Sequence, residues 1–205
     1  MPTPEIATHA IALGHEPRGE TYTAYRLLSI ERGTVTGLIR RSRKPNAQLN
    51  IDLFDEGEFC IDLKPGSFSG FIKGAQIERK RTQLARNYDA FKAAARFANL
   101  IVSNPAHDEN IIGIFELLNK GLNAWENNSN PHATYFKCLY LYCRQEGYPV
   151  KEEWAQRLPK KEKPFVAQVL NRPLEEQVEE AELLKRTIDS LEFYTRHHTH
   201  IRLET

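Results

Sequence analysis

The chain has 205 residues, of which 40% are hydrophobic and 27% charged, with a formal net charge of +1. Such a chain holds one large or two small domains, with the ordinary composition of a soluble globular protein. Near-neutral charge excludes coating of nucleic acid through bulk charge, so any phosphate-binding surface has to be a local cluster of Lys and Arg.

Up to about Ile77 the pattern is short and strand-like. Strands are predicted at Thr8–Leu13, Thr21–Ser29, Thr34–Ile39, Ile51–Asp55, Glu58–Leu63 and Ser69–Lys73. The pieces between them carry Pro17, Gly19, Gly33, Pro45, Gly57, Pro65, Gly66 and Gly74, residue types that turns select for fixed or positive φ. About five strands in so short a stretch point to a small closed barrel of the oligonucleotide-binding (OB) type.

From Glu78 onward the period is helical. Lys80–Val102 places Leu84, Tyr88, Phe91, Ala95, Ala98 and Val102 on one stripe, and Pro105 ends it. Asp108–Trp125 repeats the pattern with Ile111, Ile114, Leu118, Leu122 and Trp125. Pro131–Glu146 follows, carrying Tyr135, Phe136, Leu139, Tyr142 and Cys143, with Gly147 as its stop. Glu152–Arg157, Pro164–Leu170 and Pro173–His197 add two shorter helices and one long one. The expected fold class is therefore α+β: a five-stranded OB-fold barrel over residues 1–78, then an all-helical domain over residues 79–205.

Three cysteines, Cys60, Cys138 and Cys143, are too few and too odd in number for a disulfide framework and fit a reducing compartment. Cys138 and Cys143 fall in an apolar helical pattern and read as small core side chains. The N-terminal Met1-Pro2-Thr3-Pro4-Glu5 has no basic start and no long apolar run, so a cytoplasmic protein with no membrane span is expected.

Motifs for catalysis are missing from the sequence. It contains no Gly-x-x-x-x-Gly-Lys-Ser/Thr, no Gly-x-Gly-x-x-Gly, no His-Glu-x-x-His and no Gly-x-Ser-x-Gly. Asp52, Asp55, Glu56 and Glu58 form an acidic cluster whose carboxylates could bind a hard cation, but charge runs are usually solvated, and a solvated turn is the expectation. His197-His198-Thr199-His200 has no carboxylate or cysteine to complete a metal shell. No enzymatic activity, metal or cofactor is expected.

The basic residues carry more. Arg40, Arg41, Arg43 and Lys44 follow the third predicted strand, and Arg79, Lys80 and Arg81 stand where barrel gives way to helix. On a barrel these two groups would bracket one face and hold a phosphate backbone, with Ser42 and Asn46 adding neutral hydrogen bonds. Tyr22, Tyr25, Phe54, Phe59, Phe68 and Phe71 are the candidates for stacking on bases, although a domain this small needs most of its aromatics in the core.

The order of these motifs resembles the RecO family of bacterial DNA repair and recombination mediators. The residues concerned are Arg18-Gly19-Glu20-Thr21 after an apolar strand, Glu31-Arg32-Gly33 before the next, then Arg40-Arg41-Ser42-Arg43 and Asn46–Phe54. In the helical half, Ile114-Phe115-Glu116-Leu117-Leu118 is similar to the family's Leu-Phe-x-x-Leu helix, and Phe136 through Gly147-Tyr148 to its Phe-Glu-Leu helix and Gly-Tyr exit. The resemblance implies an OB-fold joined to helices and a non-enzymatic, DNA-binding role in DNA damage repair and recombination. It implies binding of single- and double-stranded DNA, strand annealing or recombinase loading, and RecR and single-strand-binding protein as partners. Carried over by position, Arg40, Arg41, Arg43 and Lys44 are DNA contacts, while Gly19 and Gly33 shape turns. The sequence departs from the family in two places. Many relatives carry zinc-binding Cys-x-x-Cys pairs after the Gly-Tyr exit, whereas Gly147–Trp154 here has no cysteine. Relatives also place arginine near the start of the helix leading to Gly-Tyr, where this chain has Thr134 and Tyr135 with Lys137 the nearest cation. The alternative expectation is a protein-interaction adaptor of the same architecture with weak or no DNA binding; Trp125, Trp154, Tyr135, Tyr140 and Tyr142 could form its partner groove, although most of them read as core.

Overall fold

The structure, a computed structural model, describes residues 5–41, 49–105, 108–127, 130–173 and 180–203. The architecture is α+β, a five-stranded sheet followed by six helices among the described residues. The strands are β1 (Glu5–Arg18), β2 (Tyr22–Ser29), β3 (Gly33–Arg40), β4 (Glu56–Leu63) and β5 (Ser69–Arg79). Alternation sends Tyr25, Leu27, Val35, Ile39, Phe59, Ile61, Leu63 and Ile72 into one apolar core. The chain turns from β1 to β2 and from β2 to β3 at Gly19 (φ +61°) and Gly33 (φ +67°), left-handed positions that a side chain would strain.

The sheet closes on itself in the order β1-β2-β3-β5-β4, with β4 back on β1. The length of β1 makes closure possible. Its first half pairs with β4, from Glu5 opposite Asp62 to Ile11 opposite Glu56, and its second half pairs with β2, ending at Arg18 opposite Tyr22. A register shift between Ala12 and Gly14 lets the strand bend from one neighbour to the other. The remaining seam is short: β3 and β5 run parallel over Thr36–Ser69, Gly37–Gly70 and Leu38–Phe71.

Ile51–Asp55 does not form the predicted strand. Phe54 takes φ +68° while buried, its N–H bonds the Ala12 carbonyl, and Asp55 Oδ2 accepts the Asp52 N–H at 2.9 Å. The alternating Ile-Asp-Leu-Phe-Asp imitates a strand, but the carboxylate closes it into a turn. The strand begins one residue later, at Glu56.

The helices are α1 (Tyr88–Ser103), α2 (Ile111–Glu126), α3 (Pro131–Gln145), α4 (Val150–Glu153), α5 (Glu162–Asn171) and α6 (Ala181–His198). The predicted start at Lys80 is too early, because Asn87 caps α1 by accepting the Ala90 N–H. The buried face of α1 is accordingly Ala90, Ala94, Phe97, Ala98 and Ile101, and Tyr88, expected inside, is 73% exposed. Phe97 packs against Trp125 and Tyr142 with ring centroids 6.3 and 6.1 Å apart. Gly147, at φ +82°, ends α3. Cys138 and Cys143 are buried in α3, and that burial pushes their thiols up to about 12 and about 11.

The chain divides into two compact units at Arg81 and Thr82, with Pro105–Phe115 belonging to the first and Thr82–Asn104 to the second. In the first, the Phe115 ring lies 5.8 Å from that of His9 on β1. The second contains α1, the rest of α2 and α3 to α6.

Candidate nucleic-acid interface

The two basic groups meet different surroundings. Lys80 Nζ donates to Asp52 Oδ2 at 2.9 Å and to Asp55 Oδ2 at 3.0 Å. These hydrogen bonds, the one to Asp52 foremost, hold its ammonium above the usual lysine range. Arg81 Nη2 donates to Glu56 Oε2 at 2.8 Å, and its side chain is 0% exposed. The expectation that Arg81 contacts DNA is therefore corrected: a fully buried guanidinium cannot reach a phosphate backbone. The acidic cluster divides: Asp52 and Glu58 are exposed, as a solvated turn requires, whereas Asp55 and Glu56 are buried counter-ions, which corrects the expectation for those two. Arg79 is exposed at the end of β5, opposite Glu56.

Of the first group, Arg43 and Lys44 lie outside the described residues, as do Ser42 and Asn46. Arg40 and Arg41 are exposed. Arg41 is held by its backbone N–H on the Thr21 carbonyl at 2.7 Å and by Nε on Thr23 Oγ1 at 3.3 Å. The structure does not bring Arg40 and Arg79 together. β5 leaves β3 at Phe71 and runs on to Arg79, up to about 26 Å further at strand rise.

What surrounds Arg40 is aromatic. Arg18, Tyr22 and Arg40 are register partners on β1, β2 and β3, so they form one row across three strands. Residues directly opposite each other share a face, and that face is the outer one, because Tyr25, Leu27 and Ile39 fill the interior. In the next row Leu38 partners Phe71. The Phe71 and Tyr22 rings meet at 5.7 Å and 52°. Lys73 Nζ lies 5.9 Å from the Phe71 ring centroid and 3.7 Å from Asp62 Oδ2. Phe71 is 43% exposed and Phe68, in the β4–β5 loop, is 65% exposed. The Phe68 carbonyl accepts the Thr36 N–H at 2.7 Å, which fixes that loop beside β3.

Of the six stacking candidates, Tyr25, Phe54 and Phe59 are buried, Tyr22 and Phe71 meet on this outer patch, and Phe68 is exposed in the adjoining loop. Arg18, read from the sequence only as part of a turn motif, and Lys73, not singled out there, join them; cross-strand register with Tyr22 finds the first and strand parity with Phe71 the second. Such a surface offers aromatic faces to bases and guanidinium or ammonium groups to phosphates. In the helical unit, Trp125, Trp154, Tyr135, Tyr140 and Tyr142 are all buried, as core residues are. No family model matches the chain, and none of the curated proteins does.

Proposed function

We propose that the closed sheet is an OB-fold and that its β2–β3 face binds single-stranded nucleic acid. The observation that carries this reading is the row Arg18–Tyr22–Arg40 with the Phe71 ring tilted against Tyr22. In OB-folds the face of the second and third strands, flanked by the β1–β2 and β4–β5 loops, is where oligonucleotides lie. Here Gly19–Thr21 join β1 to β2 next to Tyr22, and the exposed Phe68 lies in the β4–β5 loop, its carbonyl bonded to β3 at Thr36. Aromatic platforms favour unpaired bases, whose π-faces are open. The wider role, a non-enzymatic mediator of DNA repair and recombination that anneals strands or loads recombinase, rests on the resemblance to RecO proteins.

The test is fluorescence anisotropy with a labelled oligothymidylate of about 16 nucleotides, the upper site size of one OB-fold. Replacing Arg40 and Arg41 together by Glu should weaken binding. It should also lower the slope of log affinity against log salt by roughly 0.7 for each phosphate no longer neutralised. Unchanged affinity and slope would remove this face from the site.

A second reading, the adaptor with little DNA affinity, draws on the neutralisation of Lys80 and Arg81 by Asp52, Asp55 and Glu56. It predicts no retardation of the oligonucleotide by the unaltered chain even at low salt.

A further inference from the structure

The second unit carries a groove whose chemistry is independent of the sheet. Helix α3 lines it with Lys137, Tyr140, Leu141 and Arg144, spaced i, i+3, i+4 and i+7. Helix α5 lines the other side with Lys163, Val166, Ala167 and Leu170, at the same spacing. Each set is one stripe of a helix, and the two stripes face a single open groove of about 510 Å³. On α3 a cation stands at each end of the apolar pair, and on α5 one stands at the start. Leu141 is 38% exposed, a large apolar side chain left in water.

The charge of the rim is of one sign. Lys151 adds a fourth cation to Lys137, Arg144 and Lys163, and among the described residues lining the groove none is Asp or Glu. Two of the ammonium groups are held in place by backbone carbonyls. Lys137 Nζ donates to the Arg172 carbonyl, and Lys163 Nζ donates to the Gln156 carbonyl at 2.6 Å. Cations held this way lose less side-chain freedom when an anion arrives.

We infer that this groove docks an acidic amphipathic helix of a partner protein. Two ridges of i, i+3, i+4 side chains accept the ridges of a third helix, the usual way a helix lies in a groove. An extended strand, which shows a side chain to one face at every second residue, does not match that spacing. The ten residues of α5 span about 15 Å, which sets the contact at roughly three turns of the partner. Its apolar stripe would cover Leu141 and Leu170, and its flanking carboxylates would meet the four cations.

The experiment uses the full chain and a labelled synthetic peptide of about four turns, with Leu at i, i+3, i+4 and i+7 positions and Glu flanking them. Saturable micromolar binding is expected. Binding should weaken at least about tenfold with Lys in place of Glu in the peptide, with a central proline that breaks its helix, or with the variants Arg144→Glu and Leu141→Ser. Both positions are exposed, and a thermal melt checks that the variants fold. Phe71→Ala, on the sheet, should leave peptide affinity unchanged, which separates this site from the nucleic-acid face. Three results would overturn the inference: no saturable binding, equal binding of the proline peptide, or displacement of the peptide by oligothymidylate. A fourth would as well, namely sedimentation showing a dimer that Leu141→Ser dissolves, because the occupant would then be a second copy of this chain.

Discussion

Arg40 and Arg81 look alike in the sequence, each inside a short run of cations, and the fold treats them in opposite ways. Arg40 stands at the exposed end of β3 in a row with Tyr22 and Arg18. Arg81 is sealed from water on the Glu56 carboxylate. The difference lies in the neighbours that the chain delivers. Carboxylates 25 residues away in sequence reach Lys80 and Arg81, whereas the β2–β3 hairpin brings an aromatic ring to Arg40. A cation run is a binding surface only where its fold supplies no internal anion.

The sharpest way to break that comparison is Arg81→Ala. Removing one partner of a buried ion pair strands the other, so unfolding in urea should show a loss of about 3–5 kcal/mol. A variant as stable as the parent would mean that the pair is incidental. Phe71→Ala comes next. It should cost oligothymidylate affinity by roughly 1–3 kcal/mol, the worth of one stacked base, while stability shifts much less, because the ring is already 43% exposed. Equal losses in both measurements would make Phe71 a structural residue. The smallest effect belongs to Lys80→Gln. Its side chain is 42% exposed and its pair with Asp52 lies at the surface, where such a contact contributes about 0–1 kcal/mol, while Gln keeps a hydrogen-bond donor for the buried Asp55 carboxylate. DNA affinity should stay close to that of the parent, and stability should fall by less than in Arg81→Ala. A drop in affinity to match that of the double Arg40→Glu, Arg41→Glu variant would erase the distinction between the two groups.

Much of the sheet was legible because period-two alternation and glycine turns are local properties. β2, β3 and β4 sit close to their predicted positions for that reason. The same alternation misled at Ile51–Asp55, where a side-chain carboxylate captures a backbone N–H and turns the chain. In the helical half, the α2 stripe of Ile111, Ile114, Leu118, Leu122 and Trp125 is buried as expected. The α1 stripe was out of phase, because alanine-rich helices bury small residues that carry little hydrophobic signal. The candidate site was half legible. Tyr22, Phe68 and Phe71 could be named as stacking residues, but separating them from Tyr25 and Phe59 needs the inward face to be known. Arg81 could not be read at all, since an ion pair between distant segments has no signature in local sequence.

The seam between β3 and β5 has one more consequence. Three register pairs and the Thr36–Phe68 hydrogen bond join the strands there, against eight pairs between β2 and β3. Hydrogen exchange reports local opening, and the least paired junction of a closed sheet is where such opening begins. Parting it would leave two bare strand edges and wet Val35, Ile39 and Ile72. Phe71 lies on one bank and Tyr22 and Arg40 on the other, so a polymer seated across them acts as a clasp. Ligand that favours the closed form adds its binding free energy to closure, and the Thr36 amide, whose proton crosses the seam, should exchange more slowly when oligonucleotide is bound.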